Sequence, residues 1–339
     1  MSTLHIGLIG FGRIGKIHFT NIQQRIKGVE IVMVADPVAD LSGLSVPTGT
    51  PEEIIAHPTI EAVIICSPTD THAHYIEECA LAGKHVFCEK PMDLALDRIL
   101  QTLRLVQEKG IKLMLGFNRR FDANFLKVKH IIDSGEIGET QILKVTSRDP
   151  GPPPLQYLRE SGGMFMDMTI HDFDMVRYLM NKEVKEVYAT AAVFGGPDIR
   201  AAGDIDTAVI TIKFEDDSVA VIDNSRKAAY GYDQRVEAFG SLGMVQVGNN
   251  VPDTHTLATA QGIQSALPLH FFLERYMESY FTEMSQFVDA LLHDSAIPVS
   301  GHDALKATVM ALAAQKSVEE NRPVLLSEIE AEYAAELVI

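Results

Sequence analysis

The stretch that most narrows the fold lies at the start of the chain. A short apolar run, His5 to Ile9, enters Gly10-Phe11-Gly12-Arg13-Ile14-Gly15; a helical segment follows from Lys16, and a second apolar run, Val29 to Ala35, ends at Asp36. Strand, G-x-G-x-x-G, helix, strand and acid, in that order, are the dinucleotide fingerprint in the setting it requires. Gly10 permits the tight turn, Gly12 lets the backbone approach a pyrophosphate, and Gly15 allows the helix to pack closely on the strand. Free amides at the helix N-terminus hold the phosphates, so the whole loop, Phe11, Arg13 and Ile14 included, is a cofactor-binding candidate. Asp36 follows Gly15 by about 20 residues, where an acid accepts hydrogen bonds from the adenosine ribose and repels a 2′-phosphate. NAD rather than NADP is therefore expected, with Arg13 partly offsetting Asp36.

The alternation continues. Glu61 to Cys66, His85 to Cys88 and Ile111 to Phe117 read as buried strands, with helices ending near Gly83 and running from Asp93 to Gly110. Short apolar strands separated by helices predict a parallel sheet covered on both faces, whose ligands bind at the carboxyl ends of the strands. Two further loops leave strand ends there. One carries Ser67, Thr69 and His72, fit either to cap the following helix or to touch the nicotinamide end. The other is Glu89-Lys90-Pro91. Lys90 fits an ordinary surface lysine or one placed to hydrogen-bond a substrate hydroxyl; Pro91 restricts it to extended geometry.

From Arg119 the pattern changes. A helix is predicted over Phe121 to Ser134 and a strand over Gln141 to Thr146, then a fixed loop over the prolines up to Pro154. Longer strands follow at Val184 to Phe194, Thr207 to Phe214, Val219 to Asn224 and Gln234 to Val247, several joined by tight turns. This second sheet is predicted to be mostly antiparallel. Helices over His270 to Leu292 and His302 to Asn321 close the chain. Such a sheet, with helices on one face, leaves its other face open, and a homo-oligomer, dimer or tetramer, is the economical cover. The expected domains are 1–119 and 120–339.

Between the proline loop and the long strands lies Gly162 to Met175, GGMFMDMTIHDFDM. On an α-helix, residues four apart share a face, so Asp167 and His171 would point the same way. A neutral imidazole near its ordinary pKa can take a hydroxyl proton, and a carboxylate beside it can orient the ring and stabilise the imidazolium. A satisfied core or surface histidine is the competing reading. Asp172 and Asp174 fit solvated or capping carboxylates, although one could reach a polyol hydroxyl.

Composition excludes several classes. The 339 residues exceed the usual size of one domain, and a formal charge of −17 argues against binding nucleic acid or anionic membranes. Cys66, Cys79 and Cys88 are an odd set without metal-type spacing, which fits a reducing, cytoplasmic setting, core packing and no metal. No apolar run reaches the length of a membrane span, and the N-terminus lacks a signal-peptide pattern.

Over essentially its whole length the chain resembles the glucose-fructose oxidoreductase/inositol dehydrogenase (Gfo/Idh/MocA) family. The likeness rests on GFGRIGKIH at Gly10 to His18, SPTDTH at Ser67 to His72, CEKP at Cys88 to Pro91, GFNRRFD at Gly116 to Asp122 and DMTIHDFDM at Asp167 to Met175. It implies an α/β fold: an N-terminal Rossmann doubly wound parallel sheet plus a C-terminal α/β domain with a large, mostly antiparallel open sheet. It also implies a catalytic set of Lys90, Asp167 and His171. The Arg148-Asp149-Pro150 loop, the GGMFMDMTIHDFDM stretch and Tyr230 to Arg235 are most similar to the inositol 2-dehydrogenase branch. By position they make Arg120, Asp149, Asp172 and Tyr232 substrate-contact candidates, together with Lys90, Asp167 and His171. Ser147 stands where some relatives carry histidine. The implied reaction is oxidation of a secondary alcohol of a cyclic polyol, myo-inositol first, to a ketone. Another inositol isomer, an aldose, or a non-catalytic NAD-sensing regulator are the alternatives.

Overall fold

The computed structural model describes residues 3–333. They form two compact units, one built mainly from 3–121 with Glu278–Thr308, the other from Asp122–Met277 with Val309–Glu332.

The first unit holds strands β1 (Leu4–Ile9), β2 (Val29–Ala35), β3 (Thr48–Gly49), β4 (Ala62–Ile65), β5 (His85–Glu89) and β6 (Leu113–Gly116), with helices α1 (Arg13–Arg25), α2 (Pro51–Ala56), α3 (His72–Leu81) and α4 (Leu96–Lys109) between them. The strands run parallel in the order β3-β2-β1-β4-β5-β6. Ile6, Leu8, Val63, Ile64 and Ile65 are all completely buried, as strands covered on both faces require. The strand order reverses between β1 and β4. In open parallel sheets such a reversal point is where ligands bind, at the carboxyl edge of the sheet.

Helix α1 begins at Arg13, a turn earlier than the sequence pattern indicates, because Gly12 serves as its N-cap. α4 stops at Gly110, whose φ of 65° is the left-handed geometry that ends helices. β3 and α2 are too short to show a hydrophobic period. The available sequence signal was a capping box, in which Thr50 and Glu53 each satisfy the other's backbone amide.

The second unit contains α5 (Ala123–Asp133), β7 (Thr140–Arg148), α6 (Leu155–Glu160), α7 (Ile170–Met180), β8 (Val184–Ala192), α8 (Pro197–Ala201), β9 (Thr207–Phe214), β10 (Val219–Ser225), β11 (Asp233–Gly240) and β12 (Met244–Val247). An exposed hairpin, β13 (Thr256–Thr259) with β14 (Gly262–Ser265), follows. Further along the chain come α9 (Phe272–Leu292) and α10 (Gly301–Glu320), whose residues within Glu278–Thr308 belong to the first unit, then β15 (Val324–Leu325) and α11 (Leu326–Glu332). The large sheet is ordered β12-β11-β7-β10-β9-β8-β15. Its β7–β10 pair is parallel and its other pairs are antiparallel.

Alternation along β9 and β10 sorts the two faces. Ala208, Ile210, Ile212, Phe214, Ala220 and Ile222 are buried, whereas Val209 and Phe239 on the opposite face are 50% and 45% exposed. The sheet therefore has one covered and one open face in the single chain.

Two local differences from the sequence reading concern the site. The proline-rich loop gives way to α6 directly after Pro154. The stretch before α7 is a π-helical turn, Phe165–Thr169, where an unbroken α-helix was expected. π turns inside helices occur frequently at functional sites.

Candidate active site

In the first unit the glycine loop leaves β1 at Gly10, whose φ of 93° suits glycine; a Cβ there would lie 2.4 Å from the Cys66 carbonyl carbon. A Cβ on Gly15 would lie 2.1 Å from the Gly10 carbonyl oxygen, so only glycine lets α1 approach the turn. At Gly12 a Cβ would meet nothing within 4 Å. Gly12 and Arg13 are exposed, Ile14 is half-buried, and the α1 N-terminus has no side-chain cap. Its amides are thus presented to an incoming phosphate.

Asp36 closes this site. Its Oδ2 accepts the Phe11 amide (2.6 Å) and its Oδ1 accepts the Val38 and Ala39 amides (2.8 and 2.7 Å). Burial alone would raise its pKa, but the three amides and the nearby Lys16 charge outweigh it and hold the carboxyl below its usual range. Asp36 is therefore an anion held rigidly at the end of β2, with acceptor capacity left over for ribose hydroxyls. Open space over Gly12, an uncapped helix N-terminus and a fixed carboxylate together fit NAD.

The other two loops are tied to each other. His72 is buried, with Nδ1 2.7 Å from the Pro91 carbonyl oxygen and Nε2 2.8 Å from that of Ser67. Neither Thr69 nor His72 caps α3: the cap is Thr71, which makes no side-chain cap bond. The imidazole instead fastens the Ser67 loop to the Glu89-Lys90-Pro91 loop, in which the Lys90–Pro91 peptide is cis. Ser67 Oγ lies 2.6 Å from Thr71 Oγ1. Thr69 sits half-buried in the short turn before α3. Glu89 Oε1 is 2.9 Å from Nε2 of the fully buried His18, and Lys90 is half-buried at the end of β5. Arg120 is buried, its Nη2 donating to Asp303 Oδ1 (2.9 Å). Cys66 is half-buried, and desolvation of its thiol, with the nearby Glu89 charge, drives its pKa well up, so it remains protonated.

In the second unit the candidates gather at one end of the sheet. Arg148, the last residue of β7, pairs with Ser225 at the end of β10 and with Asp233 at the start of β11. Asp149, half-buried, is fixed by backbone bonds to Ser225 and Ala228 (2.8 and 2.6 Å). Tyr232 is 6% exposed and meets Tyr276 edge-on at 5.9 Å. Ser147 is buried, its Oγ accepting from Gln234 Nε2 (3.0 Å).

The π turn and α7 are bonded to the same sheet end. Thr169 Oγ1 donates to Asn224 Oδ1 (2.7 Å), and Asn224 Nδ2 donates to Asp172 Oδ2 (2.9 Å) and the Ser147 carbonyl (3.2 Å). Asp172 is 0% exposed and Asp174 1%. From Met164 to Val176 every residue is buried except two, Asp167 and His171. Asp167 Oδ1 accepts from Tyr157 on α6 (2.8 Å), and its Oδ2 accepts from Arg226 Nη1 (3.1 Å). Asn224, Tyr157 and Arg226 were absent from the sequence reading. Nothing local marks them, for they lie 55, 10 and 59 residues from their partners Thr169, Asp167 and Asp167.

Residues 4–117 match the model of an oxidoreductase family with an NAD-binding Rossmann fold, and residues 125–246 match the GFO/IDH/MocA C-terminal domain. The chain belongs to the GFO/IDH/MocA oxidoreductase family. Members similar to it include the uncharacterized oxidoreductase YrbE of Bacillus subtilis, 47% identical over 96% of this chain and 97% of that one. The myo-inositol 2-dehydrogenase of Thermotoga maritima is 44% identical over 96% and 99% of the two chains. Among solved family structures, scyllo-inositol dehydrogenase from Lactobacillus casei, with bound NAD(H) and scyllo-inositol, superposes with a TM-score of 0.88 at 31% identity, covering 96% of this chain and 100% of that one. As an NAD-binding oxidoreductase of this family, the protein carries the parallel and mostly antiparallel sheets expected of it. Among the described residues no helix is long and apolar enough to cross a membrane.

Proposed function

We propose that the protein is an NAD-dependent, cytoplasmic inositol 2-dehydrogenase that oxidises myo-inositol to 2-keto-myo-inositol. The observation that carries this reading is that Asp167 and His171 alone are half-buried in the otherwise buried stretch from Met164 to Val176. A packing helix has no need to present a carboxylate and an imidazole alone. The inositol dehydrogenases at 44% and 31% identity support the substrate class.

In this reading His171 removes the proton of the ring hydroxyl while its carbon gives up a hydride, leaving a C=O bond and an imidazolium that returns its proton to solvent. Bound NAD supplies the hydride acceptor. Lys90 hydrogen-bonds the reacting oxygen and, as a cation, stabilises the negative charge that develops on it. Asp167, fixed by Tyr157 and Arg226, orients His171 and stabilises the imidazolium. Asp149 and Tyr232 are assigned to the other hydroxyls. Asp172, fully enclosed and held by Asn224, is assigned to supporting the helix, and Arg120, paired with Asp303, to supporting its loop. The open sheet face carrying Val209 and Phe239 fits a homo-oligomer, dimer or tetramer; sedimentation as a monomer alone would contradict that assignment.

The test is a panel of inositol isomers and aldoses offered with NAD or NADP while absorbance of the reduced cofactor is followed. Turnover is expected with cyclitols, myo-inositol foremost, and with NAD over NADP. No turnover of any polyol would remove the enzymatic reading, and equal use of NADP would remove the role given to Asp36.

A further inference from the structure

Arg226 follows β10 and is 1% exposed, the largest completely buried side chain of the described residues. Its Nη1 donates to Asp167 Oδ2 (3.1 Å) and its Nη2 to Asp204 Oδ2 (3.5 Å). The other oxygen of Asp204 accepts the amides of Met164 and Ile205 (2.9 and 2.8 Å), which ties the loop before β9 to the start of the π turn. Buried ion pairs are weak sources of stability, because desolvation cancels much of their attraction. A fully buried guanidinium holding a carboxylate four residues before the proposed base calls for a further reason.

We propose that Arg226 is a positioning residue that sets the basicity of His171 through Asp167, a claim that rests on His171 being the base. An unshared carboxylate one helical turn from an imidazole favours the imidazolium and raises its pKa. A histidine so raised is already protonated at neutral pH and cannot accept the hydroxyl proton. Arg226 shares the Asp167 charge and repels an imidazolium directly, so Asp167 can fix the ring without locking a proton on it. The charged and titratable groups that bond the pair and its helix fit this division. Tyr157 faces Asp167 from α6, Arg226 from the end of β10, and Asp204, itself shared with Arg226, from the loop before β9. On the same helix lie Asp172, engaged by Asn224, and Asp174, and both are buried.

The test is the pH dependence of kcat/KM for polyol oxidation, whose acid limb reports the base in the free enzyme. Arg226→Gln removes the cation and is expected to move the acid limb upward by about one pH unit. Asp204→Asn leaves the whole Arg226 charge to Asp167 and is expected to move the limb the other way. Arg226→Lys keeps the cation and is expected to leave it in place. Disrupted packing lowers turnover at every pH, but it cannot shift the limb in opposite directions for two variants. A limb unmoved in Arg226→Gln, or moved the same way in both charge variants, overturns the proposal. If Arg226→Gln does not fold, the downward shift in Asp204→Asn remains decisive. Failure of the base assignment is told apart by His171→Asn: if that variant keeps the acid limb, His171 is not the base.

Discussion

Replacing His171 by Asn is expected to lower kcat for cyclitol oxidation by a factor on the order of 10² to 10⁴. Asparagine keeps a polar side chain of similar reach but cannot accept a proton near neutral pH, so the hydroxyl proton must leave to water. The glycine loop and Asp36, which hold the cofactor in this account, are untouched, so NAD affinity measured by titration should stay at the level of the unmodified protein. His171 is only half-buried, which argues that the substitution spares stability, since its buried neighbours Ile170, Asp172 and Phe173 are untouched. Turnover within a few-fold of the original, with the same acid limb, would show that another group takes the proton.

The second large effect separates two glycines of one loop. Gly12→Ala places its methyl in open space, and the φ of −71° at that residue suits alanine, so the melting temperature should hold. The methyl occupies the side from which a pyrophosphate approaches, and NAD affinity should fall about ten- to a hundredfold, the equivalent of the roughly 1–3 kcal/mol that overpacking costs. Gly15→Ala instead forces a methyl to 2.1 Å from the Gly10 carbonyl oxygen, a backbone atom that cannot turn aside. This variant should lose both affinity and stability, with a melting temperature lower by several degrees, at about 2–4 °C per kcal/mol for a chain of this size. Calorimetry with NAD titration reads both quantities. Unchanged NAD affinity in Gly12→Ala would dismiss the phosphate role of the loop.

The parts of the protein that could be read from sequence are those whose physics is local. β1, the glycine loop, α1, β2 and Asp36 lie within one short segment, so period, turn chemistry and spacing all act on neighbouring residues. Asp167 and His171 stand out in the sequence as candidates, but the π turn on which Asp167 sits does not, because it leaves no residue-type signature. Asp172 shows what sequence adjacency leaves open. Neighbours on a helix point about 100° apart, so the residue next to half-buried His171 turns toward the core, and Asp172 is bound there by Asn224. The residues that hold the pair in place, Arg226 and Asn224, come from β10 and its end. Only strand pairing brings them to α7 and the π turn, and no local pattern encodes that. α6 was hidden for a different reason: the prolines preceding it mask a helix of only 6 residues.

The central claim is that a secondary alcohol carbon of a cyclic polyol gives its hydrogen directly to NAD. It is tested most directly by incubating the protein with NAD and myo-inositol deuterated at C2, then weighing the reduced cofactor by mass spectrometry. Reduced cofactor carrying one deuterium is the expected result. Unlabelled reduced cofactor, or none at all, would contradict the account.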